Sequence, residues 1–128
     1  MNRDLPAPHG LYRGATGAEP ETGDGAGILV QMPDAFIRAT AGFELPAAGA
    51  YAAGMAFLPA DPAQAAIARA TVERIATEEG LRPLGWRDVP VNPDCLGASA
   101  RAVMPSFATF HVSDPAGAAG IDLDRKLF

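Results

Sequence analysis

The spacing of apolar and polar positions changes several times along the chain, and each change marks an element. Tyr51 to Leu58 alternates, which places Tyr51, Ala53, Met55 and Phe57 on one face of a strand and Ala52, Gly54, Ala56 and Leu58 on the other. One face is bulky and the other small. That asymmetry predicts a sheet that meets helices on one side and a closely approaching layer on the other, without saying which layer is which. Past this strand the period lengthens. Asp61 and Pro62 supply a cap and a first-turn residue, and Ala65, Ala68, Val72, Ile75 and Ala76 recur at helical spacing with Ile67 at the edge of the stripe. Arg69 and Glu73 stand four apart, a spacing at which side chains on one helix meet. Gly80 is placed to close the helix with a positive φ, so a helix over 62–79 is expected.

Shorter runs fill the rest. Ile28 to Met32 is apolar, partly β-branched and bounded by Gly27 and Pro33, and is expected to be a strand. Asp34 to Ala41 predicts a short helix that Gly42 and Pro46 stop. Leu81 to Val91 predicts a strand with Pro83 and Pro90 near its ends and Trp86 as its anchor. Gly97 to Met104 predicts one or two helical turns, Ser106 to Val112 another strand, and Ile121 to Phe128 opens a further element. Residues 1–27 are rich in Gly, Pro, Thr and Asp without a sustained period, which predicts loop. There is no internal repeat and no low-complexity linker. Strands interleaved with helices predict an α/β or α+β layered fold.

Composition narrows the class. With 128 residues, 48% of them hydrophobic, the chain fits one domain or a compact piece of a larger one. Much of the apolar fraction is Ala, which yields less buried area per residue than Leu or Ile. The formal charge of −5 and the scattered distribution of the 10 Lys and Arg argue against nucleic acid and anionic membranes as partners. A single cysteine, Cys95, excludes an internal disulfide and any multi-cysteine metal site. No apolar run approaches membrane-spanning length and the first residues lack a signal-peptide core, so a cytoplasmic chain is expected.

Gly23-Asp24-Gly25-Ala26-Gly27 invites comparison with a phosphate-binding loop. Such loops follow a strand and open a helix, whose first amides hold the phosphate. Here the glycines precede an expected strand, and the Gly-Lys-Ser/Thr ending is missing. A tight glycine turn, with Asp24 bonding nearby amides, accounts for the run without a nucleotide.

The longer string from Arg13 to Phe36, RGATGAEPETGDGAGILVQMPDAF, closely resembles the amino-terminal glutaminase region of glutamate synthase large subunits. These are class II glutamine amidotransferases of the N-terminal-nucleophile hydrolase type. The resemblance continues through Tyr51 to Pro59, Glu79 to Leu81, Leu84 to Val91, Leu96 to Ala100 and Asp124 to Phe128, in the family's order. It implies a fold that is α+β, a partial α/β-layer sandwich of the N-terminal-nucleophile hydrolase type, with residues 1–12 an irregular lead and 13–128 part of the amidotransferase domain. Glutamine is the substrate so implied, and a complementary amidotransferase or synthase chain the partner.

In this family an N-terminal cysteine attacks the side-chain amide of glutamine and its own α-amino group is the base, because the chemistry needs a reactive thiol and a base in hydrogen-bond reach. The ammonia released serves glutamate formation from 2-oxoglutarate elsewhere in the parent enzyme, whose FMN and iron–sulfur cluster belong to other domains. No cofactor is expected in this chain, since one cysteine cannot supply the usual cluster ligands. The resemblance assigns Arg13, Gly14, Asp24 and Gly25 to a loop that supports the active site, with Tyr12 standing where the family usually has His. A glycine turn with Arg13 in a structural ion pair is the competing reading of that loop.

The nucleophile belongs well before Arg13 in the family, whereas Met1 to Tyr12 contain no cysteine. The arginine and aspartate that hold glutamine and the Asn-Gly oxyanion pair would lie further along than Phe128. No catalytic residue is therefore expected in this chain: Cys95 reads as a packing or loop cysteine, His9 as solvated, and His111 as a packed or edge histidine. The expectation is a fragment or truncated relative of the glutaminase domain, inactive alone. A non-catalytic module that pairs with another chain, and a start site lying further upstream, are the alternatives.

Overall fold

Three of the expected strands pair. Ala52–Leu58 (β1), Arg82–Asp88 (β2) and Ser106–Ser113 (β3) form one antiparallel sheet of order β1-β3-β2. Among the described residues four helices accompany it: Asp34–Thr40 (α1), Pro62–Glu78 (α2), Ala98–Ala102 (α3) and Ile121–Leu127 (α4), with a 3-10 turn at Pro93–Cys95. This is an α+β arrangement, drawn from a computed structural model that describes residues 27–128.

The long helix forms where its capping chemistry lies. Asp61 accepts from the Gln64 amide at 2.8 Å and Pro62 occupies the first turn. At the other end Gly80 has φ 73°, the Gly80 amide donates to the Thr77 carbonyl, and the Leu81 amide donates to the Ala76 carbonyl at 2.8 Å. That pair of bonds satisfies carbonyls a helix end leaves open, and only a residue without Cβ takes the required φ at no cost. Arg69 and Glu73 do not pair with each other. Arg69 instead bonds Asp88 on β2, and Glu73 accepts from the Trp86 indole at 2.8 Å. Tertiary partners have overridden the local spacing.

Register assigns the two sheet faces. Phe57 stands opposite Phe107, Met55 opposite Thr109 and Ala53 opposite His111, so these residues share the bulky face. Gly54 stands opposite Phe110 and Ala52 opposite Val112 on the small face. There Trp86 stacks on Phe110 with ring centroids 4.6 Å apart, Arg69 lies over the Trp86 ring, and Ala108, Val112 and Leu58 are buried. The small face is thus the one α2 approaches. β2 carries a bulge between Pro83 and Gly85, an irregularity suited to Pro, and β2 is an edge strand where a missing amide is tolerated.

α4 is tied down by a buried carboxylate. Asp114 accepts from the amides of Ala116 and Ala118 and from Lys126 Nζ at 2.7 Å, while Leu123 is 2% exposed. Lys126 also donates to the Gly80 carbonyl, which joins α4 to the end of α2.

The expected strand at Ile28–Met32 is not one. These residues carry no ladder, and Ile28, Leu29 and Val30 are well exposed. A strand is defined by a neighbour that takes its amides and carbonyls, and among the described residues none lies alongside.

Candidate functional site

Arg13, Gly14, Asp24 and Gly25, the expected support loop, lie outside the described residues, as do His9 and the glycine run up to Ala26. The structure picks up the same string at Gly27 and shows what its end is fastened to.

That fastening is α1. Asp34 accepts from Arg38 Nε at 3.0 Å and from the Tyr51 hydroxyl at 2.8 Å. Arg38 also donates to the Leu45 carbonyl at 3.0 Å and to the Pro46 carbonyl. One guanidinium thereby fixes the helix to the turn that follows it and, through Asp34 and Tyr51, to the start of β1. The Arg38 hydrogen bond, followed by the Tyr51 one, holds the Asp34 carboxyl below its usual range. Burial, followed by the Asp34 bond, pushes the Tyr51 phenol up. Both shifts describe a clamp in which Asp34 stays charged and Tyr51 stays neutral.

Beneath the clamp lies His111, 1% exposed in the central strand. Phe43 meets its ring edge-to-face at 5.3 Å, and Tyr51 lies 6.4 Å away. Burial lowers the imidazole pKa, a hydrogen bond to the Gly85 backbone opposes that, and the nearby Arg87 charge adds to it. Phe36 of α1 lies under the Arg87 guanidinium at 5.3 Å, so α1 reaches across the bulky face to β2. His111 is a packed histidine of the sheet centre, not an edge one.

Cys95 sits apart from this cluster. It is exposed in the 3-10 turn, and its Sγ donates to the Asn92 carbonyl at 3.5 Å. No imidazole or carboxylate touches it among the described residues, so the structure does not bring the chain's thiol and its buried imidazole together. It is a loop cysteine. The arrangement does not fit an iron–sulfur cluster, which needs several thiolates. Among the described residues no group of three His, Cys, Asp or Glu is placed to hold a metal ion.

An open groove of about 630 Å³ lies where the first turns of α2 meet the outer ends of β2 and β3. Pro62, Ala65, Val91, Met104 and Phe107 line it, with the Arg69–Asp88 pair at its wall. Those linings offer apolar contact, the Arg69–Asp88 ion pair and the Ser106 hydroxyl, which donates to the Leu58 and Pro59 carbonyls; no imidazole or thiol lies among them. Sequence reasoning missed the Asp34–Arg38–Tyr51 clamp and the Asp114 knot. The Asp34–Arg38 half of the first has helical i,i+4 spacing, but its Tyr51 half joins residues 17 positions apart and leaves no local trace. The second had a local signal, Asp114-Pro115 ahead of Gly117, a pattern that favours an Asp accepting amides two residues on.

Comparison with known proteins places this architecture. Residues 9–128 match the family of class II glutamine amidotransferases. The chain is 38% identical over 120 residues to ferredoxin-dependent glutamate synthase 2 of Synechocystis, covering 91% of the chain and 8% of that protein. It is 39% identical over 95 residues to the glutamate synthase [NADPH] large chain of Bacillus subtilis, covering 73% of the chain and 6% of that protein. Ferredoxin-dependent glutamate synthase 1 of Arabidopsis thaliana is 34% identical over 123 residues. The chain thus spans less than a tenth of the length of the curated relatives it matches. Among the described residues no helix is long and apolar enough to cross a membrane. On these matches the chain belongs to the class II glutamine amidotransferases, and corresponds to part of the amidotransferase domain of glutamate synthases.

Proposed function

We propose that the chain supplies part of a glutaminase centre, one that releases ammonia from the side-chain amide of glutamine for glutamate synthesis. The observation that carries this is the family match over residues 9–128, together with relatives named as glutamate synthases. In this reading residues 13–128 belong to the amidotransferase domain and residues 1–12 are an irregular lead. Arg13, Gly14, Asp24 and Gly25 form the loop that leans on the nucleophile, and α1 with its Arg38–Asp34–Tyr51 clamp anchors the end of that loop to the sheet. The layers assemble into an N-terminal-nucleophile sandwich in which the bulky sheet face turns inward. The chain holds no cofactor of its own and works in the cytoplasm.

These 128 residues do not hydrolyse glutamine by themselves. Nucleophilic attack needs a thiol with a base in reach, and Cys95, the chain's one thiol, bonds a backbone carbonyl on an exposed turn. Ammonia release from glutamine by the purified chain is the test. No release is expected, with or without Cys95→Ala; release that Cys95→Ala abolishes would overturn the assignment.

One observation favours a second reading, a non-catalytic module that pairs with a complementary amidotransferase or synthase chain. Met55 and Phe57 on the bulky face are 55% and 69% exposed, and Ile28 to Val30 are bare as well. Apolar surface of this kind marks contact with another protein. Light scattering after chromatography separates the cases: a monodisperse monomer that unfolds cooperatively counts against the pairing module.

A further inference from the structure

Among the described residues one buried side-chain atom lacks a hydrogen-bond partner, and it is Nδ1 of His111. Strand neighbours flank this residue on both sides, Ala53 of β1 and Gly85 of β2. Its cover on the bulky face is Phe43, with Tyr51 beside it. The Phe43 ring also fills the space over Gly85: a Cβ built there would lie 2.8 Å from its Cδ1. Phe43 in turn rides on the segment that Arg38 pins through the Leu45 and Pro46 carbonyls.

Protonation turns both imidazole nitrogens into donors and adds a charge. The Gly85 backbone bond favours the charged ring, but burial outweighs it: Nδ1 has no partner, the site is closed to water, and a buried charge with incomplete hydrogen bonding is costly for a fold to hold. The titratable and charged groups on the elements packed around it offer no rescue. Asp34 of α1 is taken by Arg38 and Tyr51, and Asp114 after β3 by Lys126 and two amides. Glu44 beside Phe43 is exposed. Arg82 and Arg87 of β2, which register puts on the same sheet face as His111, carry the same sign as an imidazolium.

We propose that His111 and Phe43 form an acid-sensitive latch. With the imidazole neutral, Phe43 seals residues 41–50 and α1 onto the bulky sheet face; a proton on His111 releases them and uncovers that face. The lowered imidazole pKa agrees, burial being its main cause. Because the closed-state value lies below the ordinary 6.5, the closed state is fully favoured above 6.5. It loses ground as pH falls below 6.5, until the closed-state value is passed.

Hydrogen exchange of the full 128-residue chain tests this, corrected for the intrinsic pH dependence of exchange and compared between residues 41–50 and β3. Opening of 41–50 should rise roughly tenfold for each pH unit below the ordinary histidine value, with β3 unchanged, and should lose that pH dependence in His111→Phe. Equal pH dependence in His111→Phe, or none in the native chain, overturns the latch. Should His111→Phe fail to fold, nitrogen-15 NMR of the native imidazole decides. A midpoint below 6.5 at which Phe43–His111 cross-peaks vanish supports the latch; cross-peaks that persist through the titration overturn it.

Discussion

The two faces of the sheet are closed by different means. The small face is covered by α2, and its residues Ala108, Val112 and Leu58 are buried beneath apolar contact and the Trp86–Phe110 stack. The bulky face is covered at one end only, where α1 and Phe43 sit over Tyr51 and His111; at the other end Met55 and Phe57 are bare. One face is held chiefly by apolar packing, with the Arg69–Asp88 and Trp86–Glu73 bonds at its edge. The other is held by a phenol, a carboxylate, a guanidinium and a buried imidazole, and leaves large apolar side chains unused. Stability and responsiveness are thus divided between two sides of the same three strands.

The first consequence is that truncation on the covered face should hurt most. Leu58 is 4% exposed, and Leu58→Ala should cost about 3 kcal/mol, within the range for a buried Leu that leaves a cavity. Urea unfolding of the chain gives the number. A cost under about 1 kcal/mol would mean that the small face is looser than its burial shows.

Glycines on the two faces sharpen the contrast. Gly85 has φ 156° and Phe43 already occupies the position of its Cβ, whereas a Cβ on Gly54 meets nothing within 4 Å. Gly85→Ala should lose about 2 kcal/mol through strain and displacement of Phe43. Gly54→Ala should be neutral within about 0.5 kcal/mol or slightly stabilising. Equal effects of the two substitutions would remove Phe43 as the element that seals the bulky face.

A smaller loss follows from the clamp. Tyr51→Phe keeps the ring and removes the hydroxyl that donates to Asp34, which should cost about 1 kcal/mol and raise exchange in α1 before it affects α2. The covers should also part in different pH windows. The Lys126 bond, followed by the Ala116 amide, holds Asp114 below the ordinary 3.8. The stabilisation from that group is fully present above 3.8 and is lost as pH falls through the folded value. α4 should therefore loosen only in strong acid, well after residues 41–50 have opened. Exchange measured along one acid titration orders the two events, and simultaneous loss would show a single cooperative unit.

How much of this was legible in the sequence depended on where the causes lie. α2 was readable at both ends because Asp61, Pro62 and Gly80 act on backbone within four residues of themselves. The β1 faces were readable because alternation is local, but only the ladder with β3 showed that the small face meets the helix. Ile28–Met32 failed as a strand for the same reason: apolar, β-branched residues suit a strand, yet a ladder needs a neighbour. Arg69 and Glu73 were drawn away from each other by Asp88 and Trp86, partners 19 and 13 positions away from them. The resemblance named the family from the Arg13–Phe36 string, while the Tyr51 bond that clamps the helix at that string's end, and the orphaned nitrogen beneath it, exist only in three dimensions.

The least costly change should fall on the bare end of the bulky face. Phe57 adjoins Leu58 in sequence but is 69% exposed, and it meets Phe107 edge-to-face at 5.4 Å. Phe57→Ser gives up that ring contact and little burial, so unfolding stability should move by less than about 0.5 kcal/mol. If a complementary chain covers this face, the same substitution should weaken that association far more than it weakens the fold, since an aromatic that is bare when free becomes an anchor when covered. Unfolding and association measured on one variant therefore pull apart what each face is for. A large stability loss from Phe57→Ser would place the residue inside the fold's own core, and the division between the two faces would fail.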